Sequence, residues 1–339
     1  MRIVLVCPSY YGYDDSIMRA LRSLGHEVRS FGYFPHESLA DKIRNRLVEE
    51  VLPRTGIGAP QALRVASFND SVLAGVRSFD PGACIVVKGE VLTPDVLESI
   101  ASLCGLAHWA FDDPYRYPNV VASLGLYRSI GSFSLANTQR LVDEGFPAFY
   151  LPDGFDSEVF GAGAAMGPSE WRRQVSFLGA RYPEREARLA PVAAKYSLGI
   201  WGGDWKRRPW RVRYYQRRST LDPCCLGQAG PKEADLIYRS CPVNLNIHGP
   251  WDGLNMRVFE IPGAGGYQLC DERSGLTDAF EPGVEIETFS SEDEMLGLVE
   301  RALGDAPRRE RIALAGRRRA HTEHTLRHRM KRLVDAVKR

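Results

Sequence analysis

The sequence predicts an α/β protein built from two doubly wound domains, each a parallel sheet with helices on both faces. Short apolar runs alternate with longer amphipathic runs along the chain, which is the order of parallel β-α-β units. The chain of 339 residues is longer than one hydrophobic core usually holds. Residues 157–170 are rich in Gly, Ala and Pro and lack a period, which is typical of a linker.

These patterns predict an N-terminal domain over residues 1–156, a linker over 157–171, a second domain over 172–316 and a C-terminal helix over 317–339. Short apolar runs predict the strands of the first domain at Arg2–Cys7, His26–Phe31, Ala83–Lys88, Leu106–Phe111, 130–134 and 148–151. Apolar residues at helical spacing predict its helices at about 14–24, 36–50, 60–79, Pro94–Cys104 and Ala136–Glu144.

The same two patterns recur after the linker. They predict strands at Gln174–Leu178, Leu198–Trp201, Val243–Ile247, Tyr267–Cys270 and Val284–Thr288. They predict helices at Pro183–Lys195, about 206–218, about 231–240, Asn255–Pro262, Ser291–Leu303 and about 307–338. Because doubly wound sheets bind ligands beyond the carboxyl ends of their strands, we expect the two domains to face each other across a ligand-binding cleft.

Charge and hydropathy limit the partners that we expect. Residues 1–160 carry 14 Lys and Arg against 19 Asp and Glu, which argues against a nucleic-acid-binding protein. Residues 301–339 carry 13 against 4, so peripheral contact with a membrane stays open. The longest stretch without a charged side chain, Ser99–Phe111, has 13 residues and is too short to span a bilayer. No signal-peptide cleavage site follows the N-terminal apolar run, and we expect a cytoplasmic protein.

The cysteines and histidines do not predict a metal site. The seven cysteines are odd in number and contain no C-x-x-C spacing, which favours free thiols in a reducing compartment. His321, His324 and His328 lie in an Arg-rich helical segment, and we expect no metal there. We therefore expect neither a metal nor a cofactor.

The segment Asn244–Gly266, NLNIHGPWDGLNMRVFEIPGAGG, is the strongest candidate site. A strand leads into a glycine-containing loop and a short helix, whose free N–H groups could bind an anion. Arg257 could add a forked donor to a phosphate, and Glu260 could accept both hydroxyls of a ribose. The alternative is an ordinary strand–loop–helix unit, because the glycines match neither a P-loop nor a dinucleotide-binding fingerprint.

Two further strand ends belong to the same predicted domain. Gly179 ends one strand and would let a ligand approach the backbone, and Arg181 follows it as a candidate phosphate ligand or a surface residue. The turn Trp201–Trp205 ends the next strand, and its alternative is a turn stabilised by aromatic packing.

The first domain carries candidate catalytic and acceptor-side residues. Asp112 and Asp113 follow a strand and could include a general base, with helix capping as the alternative. His108 in the same strand is a third candidate base. The candidate acceptor-side residues come at the ends of two other strands: Tyr11, Gly12 and Lys88.

Five segments of the second half occur in an order that resembles the CgeB-like glycosyltransferases, a branch of the GT-B nucleotide-sugar transferases named after a spore-maturation protein. They are VSFLGARYPER, WGGDW, NLNIHGPWDGLNMRVFEIPGAGGYQL, DAFEPGVEIETFSSEDEMLGLV and His324-Thr325. The first half resembles the family more loosely, through IVVKGEVLTPDVL and HWAFDDP. The resemblance implies a GT-B fold with the donor on the second domain, the acceptor on the first, and the last helix packed back on the first domain.

The resemblance also implies roles for individual residues. Glu260 would hold the donor ribose, and Arg181 and Arg257 would contact the diphosphate. Many GT-B enzymes have two acidic residues eight apart here, and this chain has Asp252 at the first position, which leaves His248 as an alternative contact to the donor sugar. The whole set expected on the donor side is Gly179, Arg181, Trp205, His248, Asp252, Gly253, Leu254, Asn255, Arg257 and Glu260. Arg185 is the nearest match to a second basic residue that often follows the strand-end arginine.

The expected activity is metal-independent transfer of a hexosyl-type sugar from a UDP, GDP or dTDP sugar to a small-molecule, natural-product or cell-envelope acceptor. If the anomeric centre inverts, Asp112, Asp113 or His108 would take the acceptor proton. Two alternatives stay open: a nucleotide-sugar epimerase or hydrolase, and a non-catalytic nucleotide-sugar-binding protein of the spore-coat type. The Arg and Ala content suggests a bacterial source.

Overall fold

The computed structural model describes residues 1–33, 60–161, 163, 166–203, 205 and 219–338. Contacts divide the chain into two compact units, Met1–Pro152 with Leu326–Arg339, and Asp153–Thr325. The helices predicted at about 36–50 and 206–218 lie outside the described residues, as does Asp204 of the predicted WGGDW turn. None of the described helices combines the length and apolar composition that crossing a bilayer requires.

The first unit is a six-stranded parallel sheet with helices packed against it. In chain order its strands are β1 Arg2–Pro8, β2 Glu27–Tyr33, β3 Ala83–Val87, β4 Gly105–Ala110, β5 Ser129–Ser132 and β6 Ala148–Tyr150. Its helices are α1 Tyr13–Ser23, α2 Pro60–Phe79, α3 Pro94–Leu103, α4 Pro118–Ser123, α5 Leu135–Asp143 and, from the end of the chain, α12 Leu326–Val337. The strand order is β2-β1-β3-β4-β5-β6, so the sheet reverses its winding direction between β1 and β3.

The second unit contains a second six-stranded parallel sheet. Its strands are β7 Val175–Leu178, β8 Leu198–Trp201, β9 Cys225–Gly227, β10 Val243–Asn246, β11 Gln268–Asp271 and β12 Glu287–Phe289. Its helices are α6 Pro183–Lys195, α7 Pro231–Ser240, α8 Arg257–Gly263, α9 Leu276–Ala279, α10 Glu292–Gly304 and α11 Ala306–Glu323. The strand order is β12-β11-β10-β7-β8-β9, which places β7, β10 and β11 side by side.

Local sequence accounts for where several helices begin. Proline occupies the first turn of α3, α4, α6 and α7, where its missing N–H costs no hydrogen bond. The Ser134 side chain caps α5 by accepting from the Asn137 N–H, and Ser291 caps α10 by accepting from the Glu294 N–H. These features explain why the predicted and observed starts of α3, α5, α6, α7 and α10 agree closely.

Both faces of each sheet are buried. In β1, Val4 and Val6 lie in one apolar cluster, while Ile3 and Leu5 lie in another, as the two-residue period of a strand requires. The second sheet is covered in the same way, with Leu269 in one cluster and Cys270 in the other. Parallel strands that are buried on both faces form near-continuous apolar runs. Such runs stand out from the longer amphipathic helices between them, so the order of strands and helices is predictable from the sequence.

Candidate functional site

The carboxyl ends of β7, β10 and β11 lie at one edge of the second sheet. Parallel strands end on the same side, so the segments after Leu178, Asn246 and Asp271 are neighbours there. We call this group the strand-edge site and define it by the residues that contribute side chains: Arg185, His248, Arg257, Glu260, Asp271 and Arg273. Ligands of doubly wound sheets bind at such an edge.

His248 and Asp271 form a buried pair in the strand-edge site. The His248 N–H donates to Asp271 Oδ1 at 2.9 Å, and His248 Nδ1 lies 2.7 Å from the same oxygen. Burial alone would raise the pKa of Asp271, but the contacts with His248 lower it overall. Burial lowers the pKa of His248 although Asp271 acts in the opposite direction. At neutral pH the pair is therefore a neutral imidazole that donates from Nδ1 to a carboxylate.

Three arginines concentrate positive charge at the strand-edge site. The Arg185 guanidinium is buried, and it donates from Nε to the Ile247 carbonyl at 2.9 Å and from Nη1 to the Ala180 carbonyl at 2.8 Å. Burial, followed by the charge of Arg257, lowers the pKa of Arg185 to about 10. Arg257 Nε is buried and has no hydrogen-bond partner among the residues that the structure describes.

Arg273 holds the loop that follows β10. Its Nη2 donates to the Gly249 carbonyl at 3.1 Å and lies 3.4 Å from Asp271 Oδ2. Arg188 Nη1 lies 3.7 Å from the same carboxylate oxygen. Asp271 is thus shared between a histidine and two arginines, and the positive charge at this edge exceeds the negative charge, which favours an anionic ligand.

Glu260 lies one turn into α8, three residues after Arg257. The residue is 8% exposed, and burial raises the pKa of its carboxyl group to about 7, although Arg257 and a hydrogen bond with Tyr238 act in the opposite direction. A buried carboxyl group that titrates near neutral pH is typical of functional sites.

Asn255 connects the start of α8 to the sheet. Its Nδ2 donates to Asn246 Oδ1 at 3.0 Å, and Asn246 Nδ2 in turn donates to Gln268 Oε1 at 3.3 Å. Asn255 Oδ1 is buried without a hydrogen-bond partner among the described residues. This amide chain orients the loop and leaves one buried acceptor without a partner among the described residues, which calls for an explanation.

The loop residues predicted on the donor side have different environments. Asp252 is exposed, and Gly253 adopts a φ of 91°, a conformation that favours glycine. Leu254 is fully buried in the apolar core, so its side chain is not a ligand contact.

The predicted donor-side residues Trp205 and Gly179 form a packed corner at the end of β7. Trp205 is 2% exposed, and its Nε1 donates to the Gly179 carbonyl at 2.7 Å. Its ring packs edge-on against Phe177, with 6.0 Å between ring centroids. The structure gives Trp205 the alternative role, a turn stabilised by aromatic packing, because its indole is enclosed by protein.

Arg181 pairs with a carboxylate of its own unit. Its Nε donates to Glu186 Oε2 at 2.8 Å, and the Ser219 hydroxyl also contacts Glu186. The guanidinium is 25% exposed, so a phosphate would compete with Glu186 for it. Arg185, which lies four residues later within the first turn of α6, is the arginine that extends to the strand-edge site.

A group of possible metal ligands lies within the strand-edge site. Within the part of the chain that the structure describes, His248, Cys270 and Asp271 form such a group, with their possible ligand atoms within 4.8 Å of one another. Burial raises the pKa of the Cys270 thiol well above its usual value, so the thiol is protonated at neutral pH. A protonated thiol and the surrounding arginines disfavour a cation, and the hydrogen bonds between His248 and Asp271 account for the cluster.

The structure changes the interpretation of two predicted base candidates in the first unit. His108 is fully buried within β4, its ring 4.8 Å from that of Tyr127, and burial lowers its pKa to about 4. An enclosed core histidine cannot contact an acceptor, so we withdraw it. Asp113 Oδ1 accepts from the Tyr115 N–H at 3.0 Å and caps the short helix Pro114–Arg116, which is the capping alternative.

Asp112 is partly exposed and bound by its neighbours. Its carboxylate accepts two bonds of 3.1 Å from Arg116 Nη1 and one of 2.8 Å from the Tyr117 hydroxyl. Of the acceptor-side residues, Tyr11 and Gly12 lie in the short helix Tyr10–Gly12 after β1, and Lys88 follows β3. The ends of β1, β3 and β4 therefore bring Gly12, Lys88 and Asp112 to one edge of the first sheet.

Sequence reasoning missed residues of the strand-edge site that come from separate segments. Asp271 ends β11 and Arg273 follows it, and neither belongs to a motif. Arg188, which lies beside Asp271, comes from the middle of α6. The available signal was the end of a strand: Asp271 is the last residue of β11, as His248 follows the end of β10.

Known proteins are similar to this chain in two ways: residues 171–335 match a family by sequence, and the whole chain matches solved structures by fold. Residues 171–335 match the family described as Glycosyl transferase-like. Sucrose-phosphate synthase from Thermosynechococcus elongatus is similar in structure with a TM-score of 0.68 and 12% identity, covering 100% of this chain and 98% of that chain. Anabaena HepE in complex with UDP-glucose has a TM-score of 0.65 and 12% identity, covering 100% and 99%. A glycosyltransferase from Rickettsia africae ESF-5 has a TM-score of 0.67 and 11% identity, and the match covers 99% of this chain and 97% of that chain.

A comparison with curated proteins gives no match. The two parallel six-stranded sheets with flanking helices match the architecture of these GT-B structures. The chain therefore has the GT-B fold, and its residues 171–335 are glycosyl transferase-like in sequence.

Proposed function

We propose that this protein is a glycosyltransferase of the CgeB-like branch that transfers a hexosyl group from a nucleotide diphosphate sugar to an acceptor. The observation that carries the proposal is the arginine-rich strand-edge site, which lies within the segment that matches the Glycosyl transferase-like family. UDP is the nucleotide that we favour over GDP and dTDP, because the structurally similar HepE is described in complexes with UDP-glucose and with UDP.

The arginines supply the chemistry that departure of the sugar requires. When the anomeric C–O bond breaks, negative charge grows on the diphosphate leaving group. Arg185 and Arg257 interact through their charges across the strand-edge site, so a diphosphate between them would relieve their repulsion. A preorganised pair of guanidiniums would stabilise the leaving group without a metal ion.

Glu260 and Asn255 would hold the nucleoside. The carboxylate of Glu260 would accept hydrogen bonds from the ribose hydroxyls, and the unpartnered Asn255 Oδ1 would accept a further one. Each of these groups is buried and positioned before a ligand arrives, which lowers the entropic cost of binding.

We propose the first unit as the acceptor side, with Asp112 as the base of an inverting reaction. The acceptor hydroxyl would form the new bond to the anomeric carbon and give its proton to Asp112, while the nucleotide diphosphate leaves with the bonding electrons. We prefer Asp112 because its side chain is 26% exposed, whereas Asp113 is used as a helix cap and His108 is enclosed.

A thermal-shift panel of UDP, GDP, dTDP, ADP and CDP would test the donor half of the proposal. A nucleotide at about 100 times its Kd adds roughly 2.7 kcal/mol to the free energy of unfolding, so one diphosphate should raise the Tm clearly. Arg257→Gln should abolish the shift, and Arg172→Gln, at an exposed arginine of the same unit, should keep it. An unchanged Tm with all five nucleotides would contradict the proposal.

Turnover of the matching nucleotide sugar separates the transferase from its rivals. A transferase consumes the sugar only when an acceptor is present. Consumption without an acceptor would instead indicate an epimerase or hydrolase. Binding without consumption across an acceptor panel would indicate the non-catalytic protein.

A further inference from the structure

Partly exposed polar and aromatic side chains gather at the carboxyl edge of the first sheet. We call them the switch-point cluster: Tyr10 after β1, Lys88 and Glu90 after β3, and Asp112 and Tyr117 after β4. The sheet order reverses between β1 and β3, and doubly wound sheets bind ligands where this reversal occurs.

Lys88 has a strained backbone. Its φ is 62°, and Asp80 is the other non-glycine residue with a positive φ among the described residues. Such a conformation is unfavourable for a residue with a Cβ atom, and glycine would adopt it without strain. The surroundings enforce it, because the Lys88 N–H donates to the Trp109 carbonyl at 3.0 Å and the Gly89 N–H donates to the Tyr33 hydroxyl at 3.0 Å. These bonds fix the backbone at the end of β3, so the Lys88 side chain is held in one place next to Tyr10, Glu90 and Tyr117.

The Lys88 side chain lies among groups that leave part of it exposed. Its Nζ is 2.8 Å from Glu90 Oε1, and the two side chains are 17% and 11% exposed. The nitrogen lies 5.2 Å from the centre of the Tyr117 ring and 5.9 Å from that of Tyr10. Burial by itself would lower the pKa of Lys88, but the bond with Glu90 raises it overall, so the ammonium stays charged.

The charges of the switch-point cluster are balanced once Arg116, which lies beside it, is included. Lys88 pairs with Glu90, and Arg116 pairs with Asp112 at 3.1 Å. This balance gives a phosphate no excess positive charge, unlike the arginines of the strand-edge site, and the retained ammonium disfavours a cation. A neutral ligand that both donates and accepts hydrogen bonds, and has a flat apolar face, satisfies all the groups present.

We infer that the switch-point cluster binds a sugar ring as the acceptor. The Lys88 ammonium donates to a ring hydroxyl, the carboxylates of Glu90 and Asp112 accept from others, and the rings of Tyr10 and Tyr117 pack against its C–H groups. This inference rests on the proposed glycosyltransferase function and names the class of its acceptor, a carbohydrate.

Saturation-transfer NMR with methyl glucoside, methyl galactoside and methyl mannoside tests the inference on the full chain. The variants are Lys88→Gly, Tyr117→Leu and, as a matched control, Asp80→Gly. Asp80 also has a positive φ and forms an ion pair, with Arg2, but it precedes β3 at the opposite edge of the sheet. UDP, GDP and dTDP are titrated into the same samples to report on the second unit.

We expect at least one glycoside to receive saturation from the wild type and from Asp80→Gly. Lys88→Gly and Tyr117→Leu should each lose most of this signal and keep the Kd for the nucleotide. No signal with any glycoside in the wild type, or an unchanged signal in Lys88→Gly, would overturn the inference while leaving nucleotide binding intact. Glycoside binding without nucleotide binding would support the sugar site and contradict the donor half of the proposed function.

Discussion

Glu260 is a buried carboxylate whose electrostatics differ from those of a surface carboxylate. Its pKa of about 7 compares with 4.5 in an unfolded chain, and burial is the cause. Because the folded-state pKa is raised, the contribution of Glu260 to stability is present below pH 4.5 and is lost as the pH rises through 7. The difference corresponds to about 3 kcal/mol at full ionisation.

Glu260→Gln should remove this pH dependence. The free energy of unfolding of the variant, relative to that of the wild type, should rise by up to about 3 kcal/mol between pH 4 and pH 8, because glutamine is never charged. Urea unfolding at both pH values measures it. Glu184→Gln, at an exposed position of α6, is the control and should show no such change. A constant difference between Glu260→Gln and the wild type would mean that Glu260 is ionised normally.

The corner at the end of β7 depends on a glycine. A Cβ atom at Gly202 would lie 2.2 Å from the Gly179 carbonyl oxygen and 2.8 Å from the Trp205 ring. Gly202→Ala should therefore destabilise the second unit by about 2 kcal/mol, because backbone must move. At Gly203 the added atom meets the flexible end of Gln228, so Gly203→Ala should have a smaller effect. Equal losses of Tm in the two variants would argue against this packing.

At the residue scale, the site residues that were predictable from the sequence are those that lie close to one another along the chain. Arg257 and Glu260 were found because they share one helix turn. Asp271 and Arg273 were not found because their roles come from the pairing of β10 with β11, which brings together residues more than 20 positions apart. His108 was misjudged because its strand is buried on both faces, a property of tertiary packing.

The loop between β10 and α8 is stabilised by residues that lie outside it. Asp271 accepts from the His248 backbone and ring, and Arg273 holds the Gly249 carbonyl. Removing the carboxylate would leave buried donors and arginines without their acceptor, which usually costs several kcal/mol.

Asp271→Ala should thus lower the free energy of unfolding by about 3 kcal/mol or more. Asp252→Ala changes an exposed carboxylate within the same loop and should cost less than about 1 kcal/mol. Denaturant titration of both variants at pH 7 makes the comparison. Similar midpoints for the two variants would show that Asp271 does not anchor the loop.

Most elements were predictable because their cause is local. Helix α6 spans Pro183–Lys195, the bounds that its proline, its charges and its apolar spacing predict. The three-residue strand β9 and the short helices α4 and α9 were not predicted, because segments so short carry no period. Strand β12 begins three residues later than predicted, since Val284 is exposed and lies in the turn before it.

At the scale of the whole molecule, the last helix stabilises the unit that contains the first strand. The apolar side chains of α12 lie in the same buried cluster as Ile3 and Trp109: Leu326, Met330, Leu333, Val334 and Val337. Composition predicted two domains, and this return of the chain was implied only by the family resemblance, because an Arg-rich amphipathic helix does not indicate which surface it covers.

Leu333→Ala should destabilise the first unit, although the residue follows the second unit in sequence. Leu333 is fully buried, and such truncations cost about 2–5 kcal/mol. Hydrogen exchange should accelerate in β4 and β5, against which α12 packs. Lys331→Ala, at a side chain 62% exposed on the same helix, is the control. Faster exchange confined to the second unit would contradict the assignment of α12.

The central claim is that the arginines of the strand-edge site bind the diphosphate of a nucleotide. Calorimetric titration of UDP and of uridine into the wild-type protein tests it most directly. We predict measurable binding of UDP and at least a 100-fold weaker affinity for uridine, because charge-assisted bonds to the diphosphate would supply most of the free energy. Equal affinities, or no heat from UDP, GDP or dTDP, would contradict the claim.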